Sequence, residues 1–348
     1  MIGHLHLPLL SKLLDKIEYE DDGYMESLMK GRPVLGQIDA NANSIPTPSP
    51  ATRTLSDWAA NPRERNEKII RGMRPSADPR ADEQAWEKML KAVRRGYERG
   101  PFPISHYDLD AVCFTPRFPK WESKEDGSWT VRTITDLKRS GANETVSTPG
   151  KYAPEDLSHA WAVLRCLKGR HPSCRIQGYR ADWETAFRQD PTSPDQTHLL
   201  VELQWCPSWR APAAFESNGQ PFGGKGTQFN FIRDPEAMVA IGRSWLGLVI
   251  SNYSDDTYGL EYERHAHFAW KCWMELHALI GWRLDAGKSP PPSFCFRLLG
   301  ADLDVGADPP KGKLPARKAA QYKSEVHAVL QKNTLTPAEA SSLRGKLS

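Results

Sequence analysis

The residues with the clearest chemical potential are acids placed at the ends of apolar segments. Tyr253-Ser254-Asp255-Asp256 follows the apolar run 245–252 (WLGLVISN), and Asp182 follows a short strand signal, 177–181. Adjacent like charges beside a strand that must be buried are costly without partners. If the two strand ends face one point, two or three carboxylates converge there. Such a cluster is strained unless a divalent cation neutralises it, and Mg²⁺ prefers hard oxygen ligands while keeping water and substrate phosphate. Two ions about 3.5–4 Å apart stabilise both the attacking and the leaving oxygen of an in-line phosphoryl displacement. The plainer alternative for an Asp-Asp pair is an Asx-type turn in solvent. The preceding apolar strand and the second Asp-bearing strand end weigh against that alternative here.

The elements that must position these acids read as α+β. A helix is expected over residues 82–99, where Trp86, Met89, Leu90, Val93 and Tyr97 recur at helical spacing, with Gly100-Pro101 stopping it. Residues 128–137 (SWTVRTITDL) alternate and are β-branched, and 114–122 is their expected hairpin partner across Glu125-Asp126-Gly127. Further strands are expected at 177–181, 198–205 and 245–252. A long helix over 265–280 would place Phe268, Cys272, Leu276 and Leu279 on one face. Residues 1–80, rich in Asn, Ser, Pro and Arg from 36 to 79, read as a poorly ordered N-terminal extension, with SIPTPSPATR as a linker.

Composition narrows the classes. The 348 residues are 39 % apolar and 26 % charged, as in a globular protein with a sizeable core. Residues 245–250 form the longest nearly uninterrupted apolar run, too short to span a bilayer, and the N-terminus lacks the basic start and long apolar run of a signal peptide. An intracellular protein, nuclear or cytoplasmic and without a membrane partner, is the expectation. The six cysteines contain no CxxC pair and read as free thiols. Between Asp308 and Ser348, eight basic residues face three acidic ones, a tail that suits either a polyanion or a solvated helix face.

Taken in order, the motifs resemble those of reverse transcriptases, the RNA-directed DNA polymerases of retroelements. The resemblance covers about residues 100–348. The hairpin SKEDGSWTVRTITDLKRSGAN resembles the fingers hairpin of that family, which implies that Lys124 and Arg132 grip the incoming triphosphate and that Asp136 braces the hairpin. Ala181-Asp182-Trp183-Glu184-Thr185-Ala186-Phe187-Arg188-Gln189 is similar to the first palm motif. It implies Asp182 and the Trp183 carbonyl as metal ligands and Phe187 beneath the sugar, where its ring would clash with a 2′-hydroxyl. Gln220-Pro221-Phe222-Gly223-Gly224-Lys225-Gly226 resembles the Pro-Phe-Gly loop, with Phe222 and Gly223 beside nucleotide and template. Tyr253-Ser254-Asp255-Asp256 is similar to the Tyr-x-Asp-Asp box, which implies Asp255 as the second shared ligand and Asp256 as a supporting one. Lys288 resembles a palm lysine near the leaving pyrophosphate, and Arg297-Leu298-Leu299-Gly300 a primer-grip turn.

The resemblance implies a right-hand polymerase: fingers and palm over residues 81–310, with an antiparallel palm sheet, and a partial basic thumb over 311–348. Its cofactor would be two Mg²⁺ ions, with Mn²⁺ as a substitute, and its partners an RNA or DNA template with primer and deoxynucleoside triphosphates. Ser254 is smaller and more polar than the usual residue between Tyr and Asp. The alternatives are a truncated, catalytically inactive nucleic-acid-binding relic of a reverse transcriptase, or an unrelated protein with a chance Asp-Asp turn.

Overall fold

Leucines at helical spacing dictate the first element. In a computed structural model describing residues 2–40, 44–123 and 127–347, helix α1 (Leu7–Lys16) has Pro8 in its first turn and buries Leu10 and Leu14, and the His6 ring accepts from the Leu9 amide. Helix α2 (Tyr24–Lys30) buries Tyr24 and Leu28, and Arg32 after it is fully enclosed. The segment expected to be loose holds β1 (Ser44–Ile45), α3 (Leu55–Ala59) and α4 (Arg63–Gly72). The described residues of 1–80 are therefore folded elements and not a poorly ordered extension. Several of their apolar residues are fully enclosed: Val34, Leu35, Ile38 and Trp58 are each at most 1 % exposed. Polar groups from elsewhere fix the backbone between them. The Gln196 amide bonds the Val34 and Leu35 amides and the Leu35 carbonyl, and the Trp58 indole donates to Ser140 O.

Helix α5 (Pro79–Arg94) is capped by the Asp78 side chain. It ends five residues before the expected stop, because Gly96 takes a positive φ of 76° and turns the chain into β2 (Glu98–Pro103). Gly100-Pro101 lies inside that strand, at a shift in its register. The expected hairpin is present as β3 (Phe114–Ser123) and β4 (Trp129–Thr135). Next come β5 (Lys151–Tyr152), α6 (Leu157–Arg170), β6 (Ile176–Asp182), β7 (Val201–Cys206) and β8 (Ala211–Ser217). After them run α7 (Thr227–Phe231), α8 (Arg233–Leu246), β9 (Ile250–Tyr253), β10 (Asp256–Tyr262) and α9 (Glu263–Ile280). The chain then forms β11 (Cys295–Leu298), β12 (Ala301–Asp304), β13 (Lys311–Lys313), α10 (Ala316–Lys332) and α11 (Pro337–Leu347).

The α+β expectation holds. A five-stranded mixed sheet runs β2-β8-β7-β3-β4, with β3 and β7 parallel. A separate antiparallel sheet, β6-β10-β9, carries the acids, and a third runs β11-β12-β13. The strand expected over 245–252 is shorter than the sequence suggests. Trp245 and Leu246 finish α8, Gly247 caps it with φ 63°, and only Ile250–Tyr253 extends. Helix α9 is likewise rotated from its expected face. Phe268 and Leu279 are 71 % and 62 % exposed, while Ala266, Ala269, Trp273, Leu276, His277 and Ile280 face the core. Of the expected face Leu276 is buried and Cys272 half-buried, while the small Ala266 and Ala269 let the helix lie close to the sheet on the side that Trp273 shares. Among the described residues no helix is long and apolar enough to cross a membrane.

His277 sits in that core, its Nδ1 3.0 Å from Trp273 O and its ring 5.3 Å from that of Trp183. Burial lowers its pKa to about 4. The unfolded chain, with an ordinary histidine near 6.5, binds the extra proton first as pH falls. The stability this group contributes is thus full above about pH 6.5 and declines toward pH 4, by about 3 kcal/mol at the limit. We expect His277→Gln to flatten the dependence of the urea midpoint on pH between 7 and 4. An unchanged slope would assign the acid sensitivity elsewhere.

Candidate active site

Register brings the acids together. In the antiparallel pairing of β6 with β10, Asp182 stands directly opposite Asp256, so their side chains share one face of the sheet. Tyr253 pairs with Asp256 across a two-residue hairpin loop, Ser254-Asp255. The Asp255 carbonyl accepts from the Trp183 amide at 3.2 Å, which ties this loop to the end of β6. Backbone strain gathers here too. Ser254, Thr185 and Ala186 have φ of 58°, 59° and 30°, a region that residues with a Cβ seldom occupy and that clusters at functional sites.

Neither acid rests easily. Burial pushes the Asp256 carboxyl up to about 6, with the charges of Asp255 and Asp182 adding to the effect. Burial also raises Asp182, against the opposing hydrogen bond and charge of Lys288. The Lys288 Nζ lies 2.8 Å from Asp182 Oδ2 and 3.9 Å from Asp285. Burial alone would lower that ammonium, but the bond and charge of Asp182 outweigh it, and its pKa is raised. The lysine thus stands where a cation is called for.

Two groups here escaped the sequence reading. The Asp182 amide donates to Ser289 Oγ at 3.1 Å, and the Asp285 amide donates to Asp182 O at 2.8 Å. Leu284-Asp285-Ala286-Gly287-Lys288-Ser289 is therefore a single strap along the end of β6, with Leu284 bridging Trp183. The available signal was an acid and a hydroxyl, Asp285 and Ser289, flanking Lys288 in sequence.

Aromatic rings form the neighbouring wall. Residues 186–189 make a 3₁₀ turn that sets Phe187 4.8 Å from Phe222 and 5.0 Å from Phe231, centroid to centroid. The turn is held from below. Gln189 Nε2 donates to Glu184 O and Arg283 O, and Arg188 pairs with buried Glu98 at 2.7 Å. Arg117 joins Glu98 to Glu202 in the same network. Gly223 has φ 95°, and a Cβ there would meet Thr135 O at 2.9 Å, so glycine is required for the loop to approach β4.

The remaining sequence-derived residues fall as follows. Arg132 lies exposed on the β3–β4 hairpin and pairs with Glu122 at 3.0 Å, apart from the carboxylates. Lys124 lies outside the described residues. Asp136 accepts from the Arg139 amide at 2.9 Å, bracing the turn after β4. The Trp183 carbonyl accepts from Ala186 N at 3.3 Å, and its indole is buried. Leu299-Gly300 is a two-residue hairpin loop with both φ positive.

Oxygen donors and mutual repulsion at Asp182, Asp255 and Asp256 suit a hard divalent cation. As they stand, with Asp182 held by Lys288, no group of three or more His, Cys, Asp or Glu among the described residues is arranged to hold a metal ion.

No protein-family model matches the sequence, and no curated protein matches it. Solved structures do. A foamy viral protease-reverse transcriptase in complex with double-stranded DNA superposes with TM-score 0.52 at 17 % identity, over 99 % of this chain and 50 % of that one. The chain has a reverse-transcriptase-like fold. A second foamy viral protease-reverse transcriptase complex with double-stranded DNA gives TM-score 0.52 at 17 % identity, over 98 % of this chain and 57 % of that chain. A complex with an RNA/DNA hybrid gives 0.50 at 15 %, over 99 % and 38 %. The chain thus spans about half the length, or less, of two of these proteins and 57 % of the third. At such identities the reverse-transcriptase-like fold is what the likeness establishes.

Proposed function

We propose that this chain is the polymerase part of a reverse transcriptase, an RNA-directed DNA polymerase that extends a primer with deoxynucleotides. The observation that carries this reading is the meeting of Asp182 with the Asp255-Asp256 hairpin at one end of an antiparallel sheet, beside Lys288. In the proposed reaction the primer 3′-hydroxyl oxygen bonds to the α-phosphorus and loses its proton, while the bond to the pyrophosphate oxygen breaks. Asp182, Asp255 and Asp256, with the Trp183 carbonyl, would hold Mg²⁺ or Mn²⁺, which when bound supplies charge stabilisation for phosphoryl transfer.

The chain's own groups do the positioning. Phe187 and Phe222 form a wall against which a sugar and base can lie, and a ring at Phe187 disfavours a 2′-hydroxyl. Lys288 would exchange its bond to Asp182 for the departing pyrophosphate, and Arg132 its bond to Glu122 for the triphosphate. In this reading residues 81–310 are fingers and palm, and 311–348, which include β13, α10 and α11, are a basic thumb segment.

The foamy viral proteins were solved on duplex DNA and on RNA/DNA hybrid, which supports a primed template as the ligand here. The Lys288–Asp182 bridge favours a second reading, a nucleic-acid binder without catalysis, if that salt bridge persists on substrate. Primer extension on RNA and DNA templates with Mg²⁺ or Mn²⁺ separates the two. We expect extension that a chelator abolishes. Tight binding with no added nucleotide under either ion would select the inert binder.

A further inference from the structure

A second cavity, of about 520 Å³, lies between the chain leaving α1, the segment joining β5 to α6, and α8. Four carboxylates line it, those of Glu18, Glu20, Glu155 and Glu236, with a single cation, Arg243. That cation is already occupied. Its Nη2 donates to both Glu155 carboxylate oxygens at 2.8 Å, and its Nε donates to Ile250 O at 2.8 Å. Glu18 and Glu20 are exposed and have no ion pair among the described residues. The enclosed part of the wall is short of donors. Asn252 is 3 % exposed, and its Nδ2 donates to the Tyr152 hydroxyl at 3.3 Å. The other end of that amide, Oδ1, is buried with no hydrogen-bond partner, and so is the Tyr19 hydroxyl. A buried acceptor left without a donor is costly, so a ligand that brings N–H groups is favoured here. Burial, and after it the charge of Glu236, raises the pKa of both Tyr19 and Tyr152, so the negative field of that carboxylate reaches both rings.

The hollow continues beyond these groups. A groove of about 430 Å³ shares Ile17, Glu18 and Ser244 with it and reaches Trp245, which is 51 % exposed, with Lys16 also on its wall. Ile17, Ala153, Val239 and Ala240 supply apolar surface among the acids. The sign of the charge rules out a phosphate. A metal ion fits poorly, because no group of three or more His, Cys, Asp or Glu among the described residues is arranged to hold one. Carboxylates spread along a channel with apolar walls and aromatic rings suit a flexible methylene chain that carries several ammonium groups.

We propose that this channel binds an aliphatic polyamine, its ammonium groups held by Asn252, Glu236 and the Glu18–Glu20 pair and its methylenes lying on Ile17 and Val239. The channel shares no residue with the Asp182 cluster, so it stands or falls apart from the polymerase reading. The test is calorimetric titration of the full chain with spermidine at fixed ionic strength, without nucleic acid or divalent ions. The expected result is one equivalent bound, with affinity about tenfold weaker in Glu236→Gln. The double variant Glu18→Gln/Glu20→Gln, at two exposed positions, should lose a similar factor, and it decides the matter if Glu236→Gln proves unfolded by its thermal midpoint. Hexylamine, an alkyl chain with one ammonium group, should bind at least about tenfold more weakly than spermidine. Asp182→Asn should bind spermidine as the wild type does. No binding by the wild type, equal affinity for hexylamine, or folded channel variants that bind as the wild type does would each overturn the inference. A loss confined to Asp182→Asn would overturn it by placing spermidine on the carboxylate cluster. An oligolysine peptide that binds where spermidine does not would overturn it in favour of a protein partner.

Discussion

Asp255→Asn is expected to reduce primer extension by roughly a hundred- to a thousandfold while the protein stays folded and still binds primed template. Asp255 sits in a two-residue loop, half-buried, and its structural contribution is the carbonyl that accepts from the Trp183 amide. Asparagine keeps that carbonyl and the shape of the side chain. It also removes one of three facing negative charges, and burial and like charge already hold the Asp256 carboxyl up at about 6. The substitution therefore relaxes the folded protein, so lost activity cannot be laid to unfolding. Single-turnover extension, read beside a thermal midpoint and a binding titration, checks this. Extension at the wild-type rate would remove the carboxylates from the mechanism.

Arg32→Met should cost about 3–5 kcal/mol of stability, the cost of leaving buried charges without a partner. Arg32 is 0 % exposed and donates to Asp190 at 3.0 Å, to Asp234 at 2.8 Å and to Asn230 O at 3.0 Å. Tyr24 adds a hydrogen bond to Asp234, and Arg233 is paired with Asp21. Three buried carboxylates thus share two guanidiniums, and burial raises Asp190 to about 8 even with Arg32 present. Without Arg32, Asp190 and Asp234 must be protonated to stay inside. The folded state then binds more protons than the unfolded one at neutral pH, and the deficit shrinks as pH falls from 8 toward 4. Denaturant midpoints at pH 8 and pH 5 measure both effects. A midpoint at pH 8 within about 0.5 kcal/mol of wild type would mean that the first forty residues are not docked on the rest.

Much of this was legible in the residue order. The β3–β4 hairpin, the acids at strand ends and the Gly-rich loop are local patterns, and local patterns survive folding. What could not be read depends on partners distant in sequence. Arg32 looks like one more charge in a polar segment until Asp190 and Asp234, 158 and 202 residues away, enclose it. The outward face of α9 was mistaken because apolar spacing alone does not show which side the sheet covers, and Ala266 and Ala269 permit close approach on the other. The bridge between Lys288 and Asp182 spans 106 residues and has no local signature. Arg132, by contrast, was rightly placed on its hairpin, but its observed partner is the glutamate across the ladder.

Between Asp182 and Asp255 the chain leaves one sheet, builds β7 and β8 of another, and returns with Phe222 on the way. Neither sheet can be completed before the other has begun, so the two must be assembled as a single cooperative unit. Natural length variation should then be concentrated where extra residues disturb neither ladder. One such place is the four-residue turn 207–210, where Trp209 is 46 % exposed and Arg210 has φ 52°. An insertion at 183–200 would instead pull the aromatic wall out of alignment with the acids.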